Sequence, residues 1–200
     1  KVEEIFDDSV DDDRERERAK SRWAQLEAVV GAEPRIKQIA KDLINHFETR
    51  SKTQPGKAMI VCMSREICVK FYDALKTLKP ELHDDDQIKG QLKVVMSTSA
   101  SDPIEFQQHH TNRDQKKILE NRFKDSADPL KIVIVRDMWL TGFDAPCLTT
   151  MYIDKPMQGA NLAQAIARVN RVFGDKPGGL VVDYIGIAPQ LKEALATYAD

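Results

Sequence analysis

The sequence predicts an α/β protein whose mainly parallel sheet is flanked by helices on both faces. Short runs of apolar, β-prone residues recur along the chain, at 58–63, 92–96, 132–135, 149–153 and 180–183. The segments between these runs repeat their apolar residues at helical spacing instead. Strands that are apolar throughout are typical of parallel sheets enclosed by helices, because both of their faces are buried. Ligands of such sheets gather beyond the carboxyl ends of the strands.

The composition is that of an ordinary globular protein, with 42% hydrophobic and 31% charged residues among 200. A net charge of −2 gives no overall attraction to nucleic acid, so any such contact must be local and supported by partners. No apolar run approaches the roughly 18 residues of a membrane span, and nothing resembles a secretory leader. The three cysteines lack metal-ligand spacing and suit a reducing compartment, so we expect a cytoplasmic protein. Because the chain starts at Lys1, we expect it to be part of a longer protein.

The first 56 residues differ in character from those that follow. An acidic start turns into a run of mixed charge, which is typical of a solvated helix face. A helical pattern ends at Gly31, a second one begins just after it, and a polar Pro/Gly linker at 51–56 leads into the first strand. We therefore predict a helical connector over 1–56 and an α/β domain over 57–200.

Further helices are predicted within this domain. One follows Ser64, whose hydroxyl can cap its first turn, and others span about 114–124, 158–173 and 189–199. The segment 99–113 is polar and contains two adjacent histidines, but no further ligands at metal-binding spacing. We predict a mobile surface loop there, and no metal site in the chain.

The stretch from 131 to 172 carries most of the functional information. An apolar run ends in the turn Thr-Gly-Phe-Asp at 141–144, and a second apolar run leads into a helix. On that helix the polar residues Gln164, Arg168 and Arg171 fall opposite an apolar stripe formed by Leu162, Ile166, Val169 and Phe173. Such a polar face is either solvated or shaped to contact a ligand.

No complete nucleotide site is visible, because the phosphate-binding pattern G-x-x-x-x-G-K-[ST] and the dinucleotide pattern G-x-G-x-x-G are both missing from the sequence. Arg168 and Arg171 nevertheless look like half of such a site, since guanidinium groups stabilise the charge that develops on phosphate oxygens. Gly142 would let the backbone approach a ribose or a phosphate, and Asp144 would accept a hydrogen bond from a hydroxyl. Taken singly, each residue also has a structural explanation as part of a turn or a salt bridge.

Three segments resemble a known family. Residues 131–146 look like motif V of the superfamily 2 helicases, 164–171 look like motif VI, and 57–75 are similar to motif IV. The closest resemblance of these motifs is to the restriction (R) subunit of type I restriction-modification enzymes, and it is carried by the sequences LTGFDAP and QAIARVNR. Ala167 stands where the wider superfamily usually has glycine, and this departure favours the type I branch.

The resemblance implies that residues 57–200 form a second RecA-like motor domain of the P-loop NTPase type, without a Walker A sequence. ATP with Mg would lie between this domain and a first one. Arg171 would be the arginine finger and Arg168 a second phosphate-facing arginine. Gly142, Asp144 and Gln164 would contact or position the nucleotide, and Thr141 would touch either the nucleotide or a DNA phosphate. The residues implied near the DNA backbone are Ser64, Arg65, Thr98 and Ser99.

The function implied is the helicase part of an R subunit, which contributes to ATP-dependent translocation of double-stranded DNA and to restriction. The implied partners are double-stranded DNA, a first RecA-like domain and a nuclease domain of the same subunit, and the modification and specificity subunits. The fragment alone would be inactive as an ATPase. Two alternatives stay open, namely a motor domain of another superfamily 2 DNA or RNA helicase, and a non-catalytic α/β domain that binds nucleic acid or protein.

Overall fold

A computed structural model describes residues 13–171 and 178–186. The helices are α1 (Asp13–Val30), α2 (Glu33–Thr53), α3 (Arg65–Leu78), α4 (Ile104–Gln107), α5 (Arg113–Lys124) and α6 (Gly159–Val169). The strands are β1 (Lys57–Cys62), β2 (Leu92–Val95), β3 (Ile132–Val135), β4 (Leu148–Asp154) and β5 (Leu180–Asp183). A single 3-10 turn, Pro80–Leu82, follows α3. Within the described ranges no helix combines the length and the apolar character that a membrane span requires.

The strands form one five-stranded sheet in the order β2-β3-β1-β4-β5. Each neighbouring pair is parallel, and in the centre of the sheet Ile60 of β1 lies between Ile134 of β3 and Tyr152 of β4. The predicted parallel sheet is confirmed. All five strands therefore end at the same edge, and the loops that follow them lie side by side there.

Two hydrophobic cores lie on the two faces of the sheet, as the apolar strands predict. Along β1, Ala58 and Ile60 face the core formed with α2 and α3, whereas Met59 and Val61 face the core formed with α5 and α6. Fully burying a valine, isoleucine or methionine side chain stabilises the fold by about 1.5–3 kcal/mol. Helix α2 belongs to the predicted connector, yet its apolar stripe, including Leu43, is buried in the first core.

The helix predicted over 158–173 ends earlier, at Val169, so Arg171 lies beyond its last turn. Asn170 leaves the helical conformation, with ψ 13°, and its side-chain oxygen accepts a hydrogen bond from the backbone N–H of Gly179 at 3.3 Å. Gly179 itself passes so close to the helix end that a Cβ there would lie 2.1 Å from the carbonyl oxygen of Val169. The chain returning to β5 thus packs against the end of α6. Phe173 and the helix predicted over 189–199 lie outside the described residues.

The segment 99–113 is more structured than the predicted surface loop. It contains the short helix α4, and His109 is buried to 5% exposure against the edge of the Tyr72 ring, with centroids 4.5 Å apart. The prediction of a surface position is therefore wrong for His109. Its apolar surroundings lower its pKa to about 4, and the positive charges of Lys93, His83 and Lys76 add to that effect.

Candidate functional site

The loop after β3 presents a polar turn on an aromatic base. Phe143 is buried and stacks on Trp139 with ring centroids 4.5 Å apart and planes only 3° from parallel. Phe123 of α5 packs against both rings. This base leaves Thr141, Gly142 and Asp144 exposed to solvent.

The backbone of this turn is unusual at two positions. Gly142 has φ 66°, and a Cβ there would meet nothing within 4 Å, so backbone conformation favours glycine and the space above it is open. Trp139 has φ 67°, which is uncommon for a residue with a side chain and is held here by the ring stack. The turn therefore offers an approachable backbone next to the Asp144 carboxylate.

Helix α6 carries two of the three predicted polar side chains on a half-buried surface. Leu162, Ile166 and Val169 are buried, which confirms the apolar stripe for its described members. Gln164 and Arg168 are half-buried. In the described part of the chain, the Nε of Arg168 is buried and has no hydrogen-bond partner. A buried donor in this state costs about 1–3 kcal/mol, so an acceptor that reached it would bind with that gain.

The turn and the residues after α6 meet through one ion pair. The Nε of Arg171 lies 3.4 Å from an Asp144 carboxylate oxygen, and the two side chains are 49% and 50% exposed. The structure thus brings together the two residues that the sequence placed on opposite sides of one site. A solvated pair of this kind is worth about 0–1 kcal/mol, so either partner can exchange the other for a ligand at little cost.

The four residues implied near DNA lie around the ends of β1 and β2. Ser64 caps α3 by accepting a hydrogen bond from the backbone N–H of Ile67 at 3.3 Å. Arg65 makes a two-pronged ion pair with Asp102 at 2.7 and 2.9 Å. Ser99 donates its backbone N–H to the same carboxylate at 2.6 Å, and Thr98 is half-buried nearby in sequence.

Arg65 is thus used mainly to hold this second group together. Its guanidinium also donates to the Ser97 carbonyl at 2.9 Å and covers the Phe106 ring at 5.1 Å. The hydrogen bond from Arg65 is the largest of the effects that lower the pKa of Asp102, and the Ser99 N–H adds to it. The segment 97–102 is therefore fixed against α3, and the Ser99 side chain stays exposed at its surface.

Sequence reasoning missed two buried charges at the end of β4. Asp154 is 1% exposed and pairs with Arg35 of α2 at 2.6 and 3.0 Å. Lys155 is 8% exposed, and its Nζ contacts Asp137 in the loop after β3. The adjacent Asp-Lys at the end of an apolar run was the available signal, because such residues are almost never fully buried unless they are paired.

In residues 13–171 and 178–186, no group of three or more His, Cys, Asp or Glu side chains is placed to hold a metal ion. The candidate site is accordingly built from a glycine turn, one carboxylate and two arginines.

Comparisons with known proteins agree with this architecture. A fragment of an HsdR subunit of a type I restriction enzyme from Vibrio vulnificus YJ016 superposes on 90% of the chain with a TM-score of 0.63. The superposition covers 30% of that fragment at 21% sequence identity, so it bears on the fold. The chain therefore shares the fold of this fragment, a five-stranded parallel sheet with helices on both faces.

The sequence comparisons are more specific. Residues 104–186 match the family model of type I restriction enzyme subunit R domain 3. The type I restriction enzyme HindI endonuclease subunit of Haemophilus influenzae is 52% identical over 87% of the chain, and the MjaIXP endonuclease subunit of Methanocaldococcus jannaschii is 45% identical over 98%. The chain belongs to the family of R (endonuclease) subunits of type I restriction enzymes. It spans 17% and 18% of the length of these two relatives.

Proposed function

We propose that this chain is the second motor domain of an R subunit, and that it supplies two arginines and a nucleotide-facing turn to ATP hydrolysis. The hydrolysis would drive translocation of double-stranded DNA in the cytoplasm and thereby restriction. The observation that supports this most directly is the contact between Asp144 and Arg171, because it joins the turn after β3 to the residues after α6. The first motor domain, the nuclease domain, and the modification and specificity subunits are proposed partners.

The residues present fit one side of an ATP site. The space above Gly142 is open, the Asp144 carboxylate is exposed, and the buried Nε of Arg168 has no acceptor within the residues described. Bound ATP with Mg would supply the phosphoryl group that water attacks. The Gly142 backbone would approach the nucleotide, Asp144 would accept a hydroxyl hydrogen bond, and Gln164 would position the nucleotide from α6.

Exchange of partners by Arg171 is the central step of this proposal. In the structure its guanidinium rests beside Asp144, where solvent keeps the pair weak. When the first domain closes over the nucleotide, Arg171 would leave Asp144 and donate to the phosphate oxygens, while Arg168 donates beside it. Because a planar guanidinium offers paired donors, it stabilises the charge that develops there as the phosphoryl group leaves.

Contacts with DNA form a separate part of the proposal. Ser64 and Ser99 present small polar groups beyond β1 and β2, and Thr98 lies beside them, while Thr141 is exposed in the loop after β3. Arg65 contributes mainly by holding the Ser99 segment in place through Asp102. Phosphate contacts of this kind carry no sequence information, so binding would depend steeply on salt and little on base sequence.

Substitution of Arg171 in the intact subunit tests the proposal. Arg171→Ala is expected to lower DNA-stimulated ATP hydrolysis by about 10³–10⁵-fold, the range found for arginine fingers, and to leave DNA binding nearly unchanged. Arg16→Ala on α1 is a matched control, because it removes an arginine far along the chain from both motifs. Near-normal hydrolysis by Arg171→Ala would remove the central assignment and favour the non-catalytic alternative.

A further inference from the structure

Lys155 joins the loops that follow three strands. Its Nζ donates to the Arg136 carbonyl at 3.2 Å and to the Asp137 carboxylate. Arg136 in turn donates its Nε to the carbonyl of Met63, after β1, at 3.3 Å, and the same Nε lies 3.3 Å from the second oxygen of Asp137. One buried ammonium thus connects the end of β4 with the end of β3 and, through Arg136, with the end of β1.

The end of β4, from which Lys155 extends, is itself fixed to other elements. Asp154, the preceding residue, is held by both terminal nitrogens of Arg35. Arg35 also donates to the carbonyl of Val30, at the end of α1, at 2.9 Å and to the carbonyl of Tyr184, after β5, at 3.1 Å. Asp154, the last residue of β4, thus fixes the strand to α2, while Lys155, the next residue, reaches toward the loop after β3.

The two segments that Lys155 connects carry the two halves of the candidate site. Asp137 is the second residue of the loop that leads to Gly142 and Asp144, and Lys155 lies in the connection from β4 to α6, which carries Arg168. The loop also contains the left-handed Trp139, a conformation that persists only when surrounding contacts hold it. The ring stack holds the far part of the loop, and Lys155 holds the part next to β3.

We propose that Lys155 is a positioning residue that sets the loop of Gly142 and Asp144 at a fixed place relative to α6, so that Asp144 and the two arginines face the same nucleotide. This inference rests on the proposed function. Lys155 itself is almost fully buried, and its ammonium is already engaged by Asp137 and a carbonyl, so it acts through the loop and not on the substrate.

The test uses steady-state ATP hydrolysis by the intact subunit in the presence of DNA. Lys155→Met keeps the aliphatic stem and removes the ammonium, and Asp137→Asn weakens the same pair from the loop side. Each is expected to lower kcat/KM for ATP by about 10²-fold, as a displacement near 1 Å at a reacting centre can do. KM should rise along with the fall in kcat, because Gly142 and Asp144 would contact the nucleotide before it reacts.

A double variant and a matched control sharpen the kinetic test. If the two side chains act as one unit, Lys155→Met combined with Asp137→Asn should lower kcat/KM no further than the worse single variant. Lys117→Met removes a lysine from an exposed pair with Glu120, 3.1 Å apart on α5, and should leave both constants unchanged. Additive losses in the double variant would overturn the proposal, as would wild-type kcat/KM for Lys155→Met.

Hydrogen exchange of the intact subunit without nucleotide separates positioning from folding. Lys155→Met should speed amide exchange in 136–144 and leave exchange in β1 at the wild-type rate. Faster exchange in β1 as well would show a general structural role and would count against positioning. Hydrogen exchange tests the role of Lys155 without requiring ATP hydrolysis. The proposed function is tested separately, by the ATPase rate of Arg171→Ala. Failure of the Lys155 proposal can therefore be distinguished from failure of the proposed function.

Discussion

Among the arginine–aspartate pairs at the carboxyl edge of the sheet, Arg35–Asp154 and Arg171–Asp144 are held very differently. Arg35 and Asp154 make two charge-assisted hydrogen bonds, at 2.6 and 3.0 Å, and Asp154 is 1% exposed. Arg171 and Asp144 make one contact at 3.4 Å, and about half of each side chain is exposed. Breaking a buried pair by removing one partner costs about 3–5 kcal/mol, whereas a solvated pair is worth about 0–1 kcal/mol.

The difference separates a structural pair from one suited to function. A buried pair cannot exchange partners without leaving a charge unpaired, so Arg35 is suited to hold α2 permanently against β4 and β5. A weak, exposed pair can give up its arginine to a ligand at small cost, and this is what the proposed nucleotide site would require of Arg171. Arg65 and Asp102 lie between these extremes, with a two-pronged contact and an arginine that is 34% exposed.

The largest effect on stability is expected from the buried pair. Arg35→Ala should lower the free energy of local opening around β4 and β5 by about 3–5 kcal/mol, because it leaves the Asp154 carboxylate buried and unpaired. Hydrogen exchange of the intact subunit, read in peptides that cover 148–154 and 180–183, measures this change. Arg171→Ala is the matched control and should leave those peptides unchanged. Equal protection of these peptides from exchange in Arg35→Ala and Arg171→Ala would show that the two pairs contribute equally to stability despite their different burial.

The next effect concerns the buried side chain of His109. Because the pKa of His109 is lowered to about 4, its neutral form is preferred in the folded protein. The unfolded chain, with a histidine pKa near 6.5, binds the proton first as pH falls, so stability should be full above that pH and be lost between about 6.5 and 4. About 2.5 pKa units correspond to a loss of roughly 3 kcal/mol.

His109→Leu supplies the comparison for this pH effect, since it removes the titrating ring and keeps an apolar side chain. The slope of stability against pH between about 6.5 and 4 should be smaller in this variant than in the unchanged protein. Hydrogen exchange in α3, where Tyr72 packs against His109, reports the difference in the intact subunit. The same slope in both proteins would mean that His109 is protonated without loss of structure.

Much of the fold follows from patterns that lie close together in the sequence. The apolar runs predict strands that the structure places within two residues, as with β1 at Lys57–Cys62. The spacing of Leu162, Ile166 and Val169 predicts the buried face of α6. These features depend on local periodicity, which a single sequence displays directly. The sequences of the motifs likewise predict membership of the R-subunit family, and the comparisons confirm that membership.

What the sequence did not reveal depends on residues that are far apart along the chain. Arg35 and Asp154 are separated by 119 positions, so no local pattern connects them. The position of Arg171 past the helix end depends on Asn170 and Gly179, where the return to β5 packs against α6. The polar neighbours of His109 predict a surface loop, but its ring is buried against Tyr72 of α3. In each case a tertiary contact overrides the local composition.

A smaller effect is expected at the pair of intermediate exposure. Arg65→Lys keeps the positive charge but replaces a planar fork that binds both carboxylate oxygens of Asp102 with a single ammonium. The segment 97–102 should then exchange its amides severalfold faster, while exchange in β1 stays as before. If Ser99 contacts DNA as proposed, DNA binding by the intact subunit should weaken modestly at low salt, because Ser99 loses its fixed position. Unchanged exchange in 97–102 would show that the backbone alone holds this segment.

The smallest effect on stability is expected at Asp144, and it is the most direct test of the comparison. Asp144→Ala removes one partner of a solvated pair, so the free energy of local opening around β3 and α6 should change by no more than about 0.5 kcal/mol.

If the Asp144 carboxylate accepts a hydroxyl hydrogen bond from the nucleotide, ADP binding to the intact subunit should weaken by about 10–100-fold in the same variant. A hydrogen bond to a charged group is worth about 1.5–3 kcal/mol. Calorimetric titration with ADP measures this loss, and Asp128→Ala, which removes an aspartate that is paired with Arg122 at the amino side of β3, serves as the control. A variant that is destabilised but binds ADP normally would place Asp144 with Asp154 as a structural residue. Normal stability with weakened ADP binding would instead show that Asp144 serves a ligand, whereas Asp154 holds the fold.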